Sequence, residues 1–277
     1  MEHSTGTFRG AGDVDIAFQR WLPEGTPRAA LMIAHGFGEH GGRFMNVVNR
    51  LVPTGYAVYA NDHRGHGRSP GQRGHINAWS EYRDDLGAFV RLVSEQQAGL
   101  PLFLMGHSMG GLIVLEYVEQ HPEGLRGVIA SAPLLTQPGI SPVKLALGSV
   151  ISRVMPAFSL DSGLDVTAIS RDSEVVTAYR TDPLVQSKGT ARLSTELTSA
   201  IRRTQAGAAS WTLPLLIVHG TADRLVPPSG SKTFFEHVPA SVDKERHEID
   251  GGFHEPHNDT SKEQALDIEQ QWLERHL

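Results

Sequence analysis

The sequence predicts an α/β protein: a mostly parallel sheet flanked by helices and interrupted by one insertion. Three observations carry this prediction. Short wholly apolar runs recur, helical patterns lie between them, and one long stretch contains no such run. The runs are Ala29 to Ala34, Tyr56 to Ala60, Leu102 to Met105, Val128 to Ala130 and Leu215 to Val218. Continuous apolar runs of this length suit strands covered on both faces, which is the condition of strands in a parallel sheet. Arg43 to Leu51, Trp79 to Gln97 and Met109 to Gln120 read as helices, the last stopped by His121-Pro122. A final helix over about Lys262 to His276 carries Ala265, Ile268 and Trp272 at helical spacing, after a strand-like Glu245 to Ile249. Such alternation along the chain is the pattern of a layered α/β domain.

Residues 134–208 break the rhythm and are assigned to an inserted helical cap, leaving 1–133 and 209–277 as the core. Up to Leu160 the insertion has only Lys144 and Arg153 as charges, and Ile140, Val143, Leu147, Val150 and Val154 repeat at helical spacing. That apolar face has two readings of equal standing: it packs the cap onto the core, or part of it lines an acyl pocket or touches lipid.

With 277 residues the chain can bury one large core, and its net charge of −6 with no basic run excludes a nucleic-acid partner. Having no cysteine, it can form no disulfide, thiolate metal site or cysteine nucleophile. Met1 to Arg20 holds no apolar stretch of signal-peptide length, and no segment reaches the roughly 18 apolar residues of a membrane span. The expectation is a cytoplasmic protein, with peripheral membrane contact through the cap left open. Oligomeric state is not legible.

Gly106-His107-Ser108-Met109-Gly110 follows one predicted strand and opens a predicted helix. In that context G-x-S-x-G makes a nucleophile elbow: small residues two before and two after the serine permit a strained turn that exposes its Oγ. The fold class sharpens to the α/β-hydrolase fold, a mostly parallel central sheet flanked by helices, with an inserted helical cap. A serine hydroxyl is a weak nucleophile, so a base must take its proton and a carboxylate must fix the base's tautomer. In this fold the chain order is serine, acid, histidine. Asp223, just past Leu215 to Val218, is the expected acid, and His254, in Asp250-Gly251-Gly252-Phe253-His254, the expected base. His257 competes as base and Asp250 as acid, although Asp250 stands too close in sequence to His254 to orient it from across the sheet end. The oxyanion donors are the backbone N–H groups of Met109 and, in His35-Gly36-Phe37-Gly38, of Phe37.

Three rival patterns weigh less. Gly36-Phe37-Gly38-Glu39-His40-Gly41 satisfies G-x-G-x-x-G, with Asp62 downstream, and suggests a dinucleotide-binding oxidoreductase. Against it, Glu39 would set a carboxylate beside a pyrophosphate, and Ser108, Asp223 and His254 would go unexplained. Ser141 to Lys144 and Ser229 to Lys232 match S-x-x-K without the companion elements. Asp62-His63-Arg64-Gly65-His66 invites a metal reading, yet no metal-ligand spacing such as H-E-x-x-H accompanies it, so it reads as a tight loop at a strand end. No metal and no cofactor are expected.

With these residues placed, the whole chain resembles the monoacylglycerol lipase and lysophospholipase-like group of α/β-hydrolases. The resemblance runs through His35 to Arg43, Asp62 to Ser69, Leu104 to Gly111 and Gly220 to Arg224, and in the cap through Ser170-Arg171-Asp172, Tyr179 and Asp182-Pro183-Leu184. It implies cleavage of a small lipid ester, most specifically monoacylglycerol, with lysophospholipase or general carboxylesterase as alternatives. It also implies that Glu39, Arg43, Tyr179 and His257 surround the polar end of the substrate. An ion pair between Glu39 and Arg43 that merely braces the loop, and a Tyr179 that belongs to the cap core, are the alternatives from the residues alone. The chain departs from many relatives in the bulky Phe37 and in having no cap cysteine.

Overall fold

The computed structural model of the chain describes residues 1–136 and 149–277. Eight strands form one sheet: β1 (Glu2–Arg9), β2 (Asp15–Leu22), β3 (Ala29–Ala34), β4 (Tyr56–Asn61), β5 (Leu102–His107), β6 (Gly127–Ser131), β9 (Leu215–Gly220) and β10 (Lys244–Ile249). Their order is β1-β2-β4-β3-β5-β6-β9-β10. From β4 to β10 every pairing is parallel, whereas β1 and β2 form an antiparallel hairpin joined antiparallel to β4. The parallel strands β3, β4, β5, β6 and β9 are buried at every residue, so the apolar runs of the sequence are the sheet's interior. A second, two-stranded sheet pairs β7 (Ser159–Asp161) with β8 (Lys188–Thr190) inside the 134–208 stretch. It is mostly exposed, consistent with the expectation of no buried strand there.

Side chains alternate across a strand, and the sheet therefore has two cores. Ala30, Met32, Leu102 and Leu104 face one, which α2 (Ser80–Gln96), α3 (Met109–Gln120), α5 (Ala191–Gly207) and α6 (Ser229–His237) cover. Leu31, Ile33, Phe103 and Met105 face the other, under α1 (Met45–Leu51) and α7 (Lys262–Arg275). The predicted helix from Arg43 divides in two, because a 3₁₀ turn over Gly41–Phe44 precedes α1. Helix α4 (Ser173–Thr181) starts where the Asp172 carboxylate accepts from the Glu174 N–H.

A third, small apolar cluster of Ile169, Val176 and Tyr179 lies in the inserted stretch, with Leu164 and Val185 of that stretch and Leu225 of the core packed against it. Of the apolar face expected there, Ile140, Val143 and Leu147 lie outside the described residues. Val150 and Val154 are 56% and 75% exposed, and Met155, Phe158 and Leu160 are also exposed, so the described end of this stripe does not pack onto the core. Among the described residues no helix is long and apolar enough to cross a membrane.

Candidate active site

Strand β5 runs straight into α3 through Ser108, whose backbone sits at φ 53°, ψ −117°. A non-glycine residue at positive φ is strained, and here the surroundings enforce it. Ser108 N–H donates to Ser131 O at 3.0 Å, and its carbonyl accepts from Leu134 N and Leu112 N at 2.9 and 3.2 Å. The turn closes only because the flanking residues lack side chains. A Cβ on Gly106 would stand 2.4 Å from Gly110 O, and one on Gly110 would stand 2.1 Å from Ala34 O. Leu112 makes the first bond within α3, so the Met109 N–H precedes the helical ladder and faces outward beside Ser108.

Asp223 lies in the turn after β9, and His254 in the loop after β10, adjacent strands at one edge of the sheet. His254 Nδ1 donates to Asp223 Oδ2 at 2.7 Å, and both residues are buried. The His254 ring lies 4.8 Å from that of His107, the residue before Ser108, which sets the imidazole against the elbow. Burial alone would lift the Asp223 carboxyl, but the His254 charge and hydrogen bonds from His219, His254 and the Val226 N–H hold it far below the carboxylate range. Burial conversely lowers His254, and the Asp223 charge and hydrogen bond outweigh it, leaving the imidazole more basic than usual. Asp250, the competing acid, instead accepts from Thr221 Oγ1 at 3.4 Å on the exposed side of the loop.

The other rivals are absorbed into structure. Gly36 N–H, which would face a pyrophosphate in a dinucleotide site, donates to Glu39 Oε1 at 2.7 Å. Asp62 accepts from Gly41 N at 2.9 Å and from Arg68 N at 2.8 Å, so it ties two loops together. His63 bonds His35 through both its N–H and its ring, and His66 Nδ1 meets Arg64 O at 3.1 Å. Burial and mutual proximity push His63 to about 3 and burial pushes His66 to about 4, so both rings are uncharged packing behind the Phe37 loop.

Glu39 and Arg43 form the ion pair, and the structure adds a partner that the sequence reading missed. The Arg43 guanidinium meets Glu39 Oε2 at 2.5 Å and both oxygens of Glu255 at 2.7 Å. Tyr179 covers it, with its ring centroid 4.6 Å from the guanidinium carbon. Burial is the largest influence on both acids; the Arg43 charge and its bidentate bonds bring Glu255 below the usual range, while Glu39 stays above it. The His257 ring has no exposed surface, stacks on Phe44 at 4.6 Å and lies 5.0 Å from His107, and burial lowers it to about 4. Neither of its ring nitrogens has a hydrogen-bond partner among the described residues.

The inserted stretch is fastened directly to the site loops. Gln186 N–H donates to Gly38 O at 2.8 Å, Asp182 accepts from His40 at 2.9 Å, and Thr190 N–H donates to Gly74 O at 3.0 Å. The histidine loop is held from the same side, with Glu255 N–H on Ile169 O at 2.8 Å. Buried Asp259 joins Arg171 to Phe253 N at 2.9 Å each, which explains Ser170-Arg171-Asp172 as an anchor of the His254 loop. A small cavity of about 30 Å³ remains between Phe37, Leu164, Val166 and Tyr179, where the stretch overhangs the Phe37 loop. A larger open groove, along Asp267, Gln271 and Arg275, is on the outer face of α7, away from the elbow.

A strained serine at a strand-to-helix elbow, beside a buried carboxylate–imidazole pair on the neighbouring strand ends, defines a serine hydrolase of the α/β-hydrolase fold. Residues 25–261 match the Hydrolase_4 family, described as serine aminopeptidase, S33, and the chain belongs to that family. It is 38% identical to a monoacylglycerol lipase of Mycolicibacterium smegmatis, over 100% of this chain and 98% of that one. The crystal structure of a monoacylglycerol lipase from Paleococcus ferrophilus superposes with TM-score 0.84 and 33% identity, covering 100% of both chains. A soluble variant of the monoglyceride lipase of Saccharomyces cerevisiae, in complex with a substrate analog, gives TM-score 0.86 and 25% identity over 97% of this chain and 94% of that one.

Proposed function

We propose that the chain hydrolyses carboxylic esters, monoacylglycerols above all, through an acyl-enzyme on Ser108. The observation that supports it most is the buried Asp223–His254 pair, 2.7 Å apart, set against the elbow. His254 Nε2 takes the Ser108 proton as Oγ attacks the ester carbonyl carbon, and Asp223 steadies the resulting imidazolium. The Phe37 and Met109 N–H groups stabilise the oxyanion. Collapse of the tetrahedral adduct breaks the ester C–O bond, and His254 returns its proton to the departing alcohol. Water, deprotonated by the same imidazole, then attacks the acyl-enzyme and releases the carboxylic acid and Ser108.

Residues 134–208 act as the cap in this reading. Glu39 and Tyr179 meet the substrate's free hydroxyls, with Arg43 holding Glu39 in place. A site that hydrogen-bonds a hydroxyl rejects analogues lacking it, because its buried polar groups are then left unpaired. The exposed Val150, Val154, Met155, Phe158 and Leu160 make the cap's outer edge the surface that meets a lipid interface, so the protein associates peripherally with membranes.

The test is kcat/KM on mono-, di- and triesters of glycerol with one medium-chain acid, a lysophospholipid, a short aryl ester and an aminoacyl anilide, for wild type and Ser108→Ala. Monoester hydrolysis well above the triester, abolished in Ser108→Ala, is expected. Equal rates on all glycerides would leave a general carboxylesterase, a lysophospholipid preference the lysophospholipase, and anilide cleavage alone the peptidase that the family's description names.

A further inference from the structure

We propose that His219 is a positioning residue for the Ser108 reaction: its imidazole is a second nitrogen donor to the carboxylate of Asp223. The sequence reading passed over His219 as the exit of a strand, and the mechanism above does not use it. It is fully buried at the end of β9, with Nε2 3.1 Å from Asp223 Oδ2 and 3.0 Å from Val226 O. Both neighbours of Nε2 are acceptors, so this nitrogen carries the hydrogen. With the hydrogen on Nε2, Nδ1 is the acceptor for the Ser231 hydroxyl at 2.9 Å, and the ring is held at both ends.

A carboxylate offers about four acceptor sites, and Asp223 fills them. Oδ1 accepts from Leu225 N at 2.8 Å and Val226 N at 2.9 Å, while Oδ2 accepts from His254 Nδ1 at 2.7 Å and His219 Nε2 at 3.1 Å. The two backbone donors fix Oδ1 alone. Oδ2, the oxygen that orients the base, has His219 as its only other donor among the described residues. Without that donor the carboxylate is freer to turn, and Oδ2 becomes a stronger acceptor for His254. The first change lowers the rate; the second makes the imidazole more basic. Around His254 the remaining charged and titratable groups are Glu39, Glu255, His107 and His257, and around His219 the further side-chain partner among the described residues is Ser231. None of them is altered in the variants below except Ser231 in one.

This inference rests on the proposed role of Asp223, and the experiment separates the two. The pH dependence of kcat/KM on a soluble ester is measured for wild type, Ser108→Ala, His219→Leu, His219→Gln and Ser231→Ala. His219→Leu is expected to lower kcat about tenfold with KM within about twofold, the size of one hydrogen bond to a charged group, and to move the acid limb upward by about half a pH unit. His219→Gln keeps an N–H within reach of Oδ2 and is expected to recover most of the rate and the wild-type limb. Ser231→Ala, which frees one end of the ring, is expected to lose about threefold with the limb moving the same way, and carries the test if His219→Leu does not fold. An unchanged rate and limb in folded His219→Leu, or a His219→Gln as impaired as His219→Leu, overturns the inference: the ring would only fill space. Retained hydrolysis in Ser108→Ala instead overturns the reading on which the inference stands.

Discussion

Two buried carboxyl groups, one at the strand ends and one on the C-terminal helix, show what decides the charge of an acid inside a protein. Asp223, at the strand ends, receives four donors and is held far below the carboxylate range. Glu269, on the inward face of α7 beneath Trp272 and Leu273, has no hydrogen-bond partner for either oxygen among the described residues, and burial pushes it up to about 8. Both are removed from water, which by itself favours the neutral acid in each case. The difference is made by donors, and the donors are concentrated where chemistry needs a permanent charge. The same burial therefore leaves an ionised, saturated carboxylate beside Ser108 and a protonated, unpartnered one in the apolar layer behind the sheet, at a cost in stability.

The largest effect that sharpens this contrast is Asp223→Asn. The amide keeps the volume but presents an NH₂ to a nitrogen that must itself donate, so the wrong histidine tautomer is favoured and kcat is expected to fall about 10⁴-fold. Asp250→Asn changes a carboxylate held only by Thr221 and is expected to stay within about threefold. If the two outcomes were exchanged, Asp250 would be the acid. In wild type, kcat/KM is expected to rise with pH through a value above 6.5, because the base must be neutral and Asp223 raises its affinity for protons. An acid limb below 6.5 would show that burial outweighs the Asp223 charge at His254.

A smaller effect is expected from the Glu39–Arg43–Glu255 triad, which stands between the two extremes. Arg43 serves two acids, so removing it leaves two buried carboxyls facing each other with no counter-charge. Arg43→Met is expected to destabilise the protein by about 3–5 kcal/mol in urea unfolding at neutral pH, and less in acid, where both carboxyls are protonated. A loss that does not depend on pH would point to packing against Tyr179 as the whole contribution.

Sequence legibility follows the same division. Ser108, Asp223 and His254 could be named because each is tied to a local signal: a glycine-bracketed turn after a strand, or an acid or histidine just past one. Strands β3, β5 and β9 were legible because burial on both faces leaves unbroken apolar runs. The hairpin β1–β2 escaped because one side is in solvent: in Glu2–Arg9 only Phe8 is buried, and the alternation of Ile16 and Phe18 in Asp15–Leu22 was the one available trace. Glu255 escaped for another reason. It meets Arg43 across 212 residues of chain, and nothing near Glu255 in the sequence marks it as a partner. His219, just past the apolar run Leu215 to Val218, carried no signal of its own, since its bond to Asp223 depends on how the following turn folds back. The packing of His257 was not legible, because its place three residues after His254 says nothing of Phe44, which stacks on it from a distant part of the chain.

The smallest effect tests the other half of the comparison. Glu269→Met replaces an unpartnered carboxyl with an apolar side chain of similar length, in a layer formed by Ala265, Leu266, Trp272 and Leu273. Below about pH 4.5 the acid is protonated in both folded and unfolded chains, and only the loss of its hydrogen bonds to water separates it from methionine. Between 4.5 and about 8 the unfolded chain releases the proton while the folded chain retains it, so wild-type stability falls as pH rises. Above about 8 the folded group ionises too and the loss levels off. The variant lacks this titration. It is expected to be more stable than wild type by roughly 4 kcal/mol at pH 8, about 1.4 kcal/mol for each pH unit over which only the unfolded chain is ionised, with a gain of about 1 kcal/mol from this titration at pH 5 and unchanged ester hydrolysis. Urea midpoints of both proteins at the two pH values measure it. A gain that is the same at pH 5 and pH 8 would mean that Glu269 titrates as it does in the unfolded chain, and the contrast with Asp223 would then lie in geometry alone.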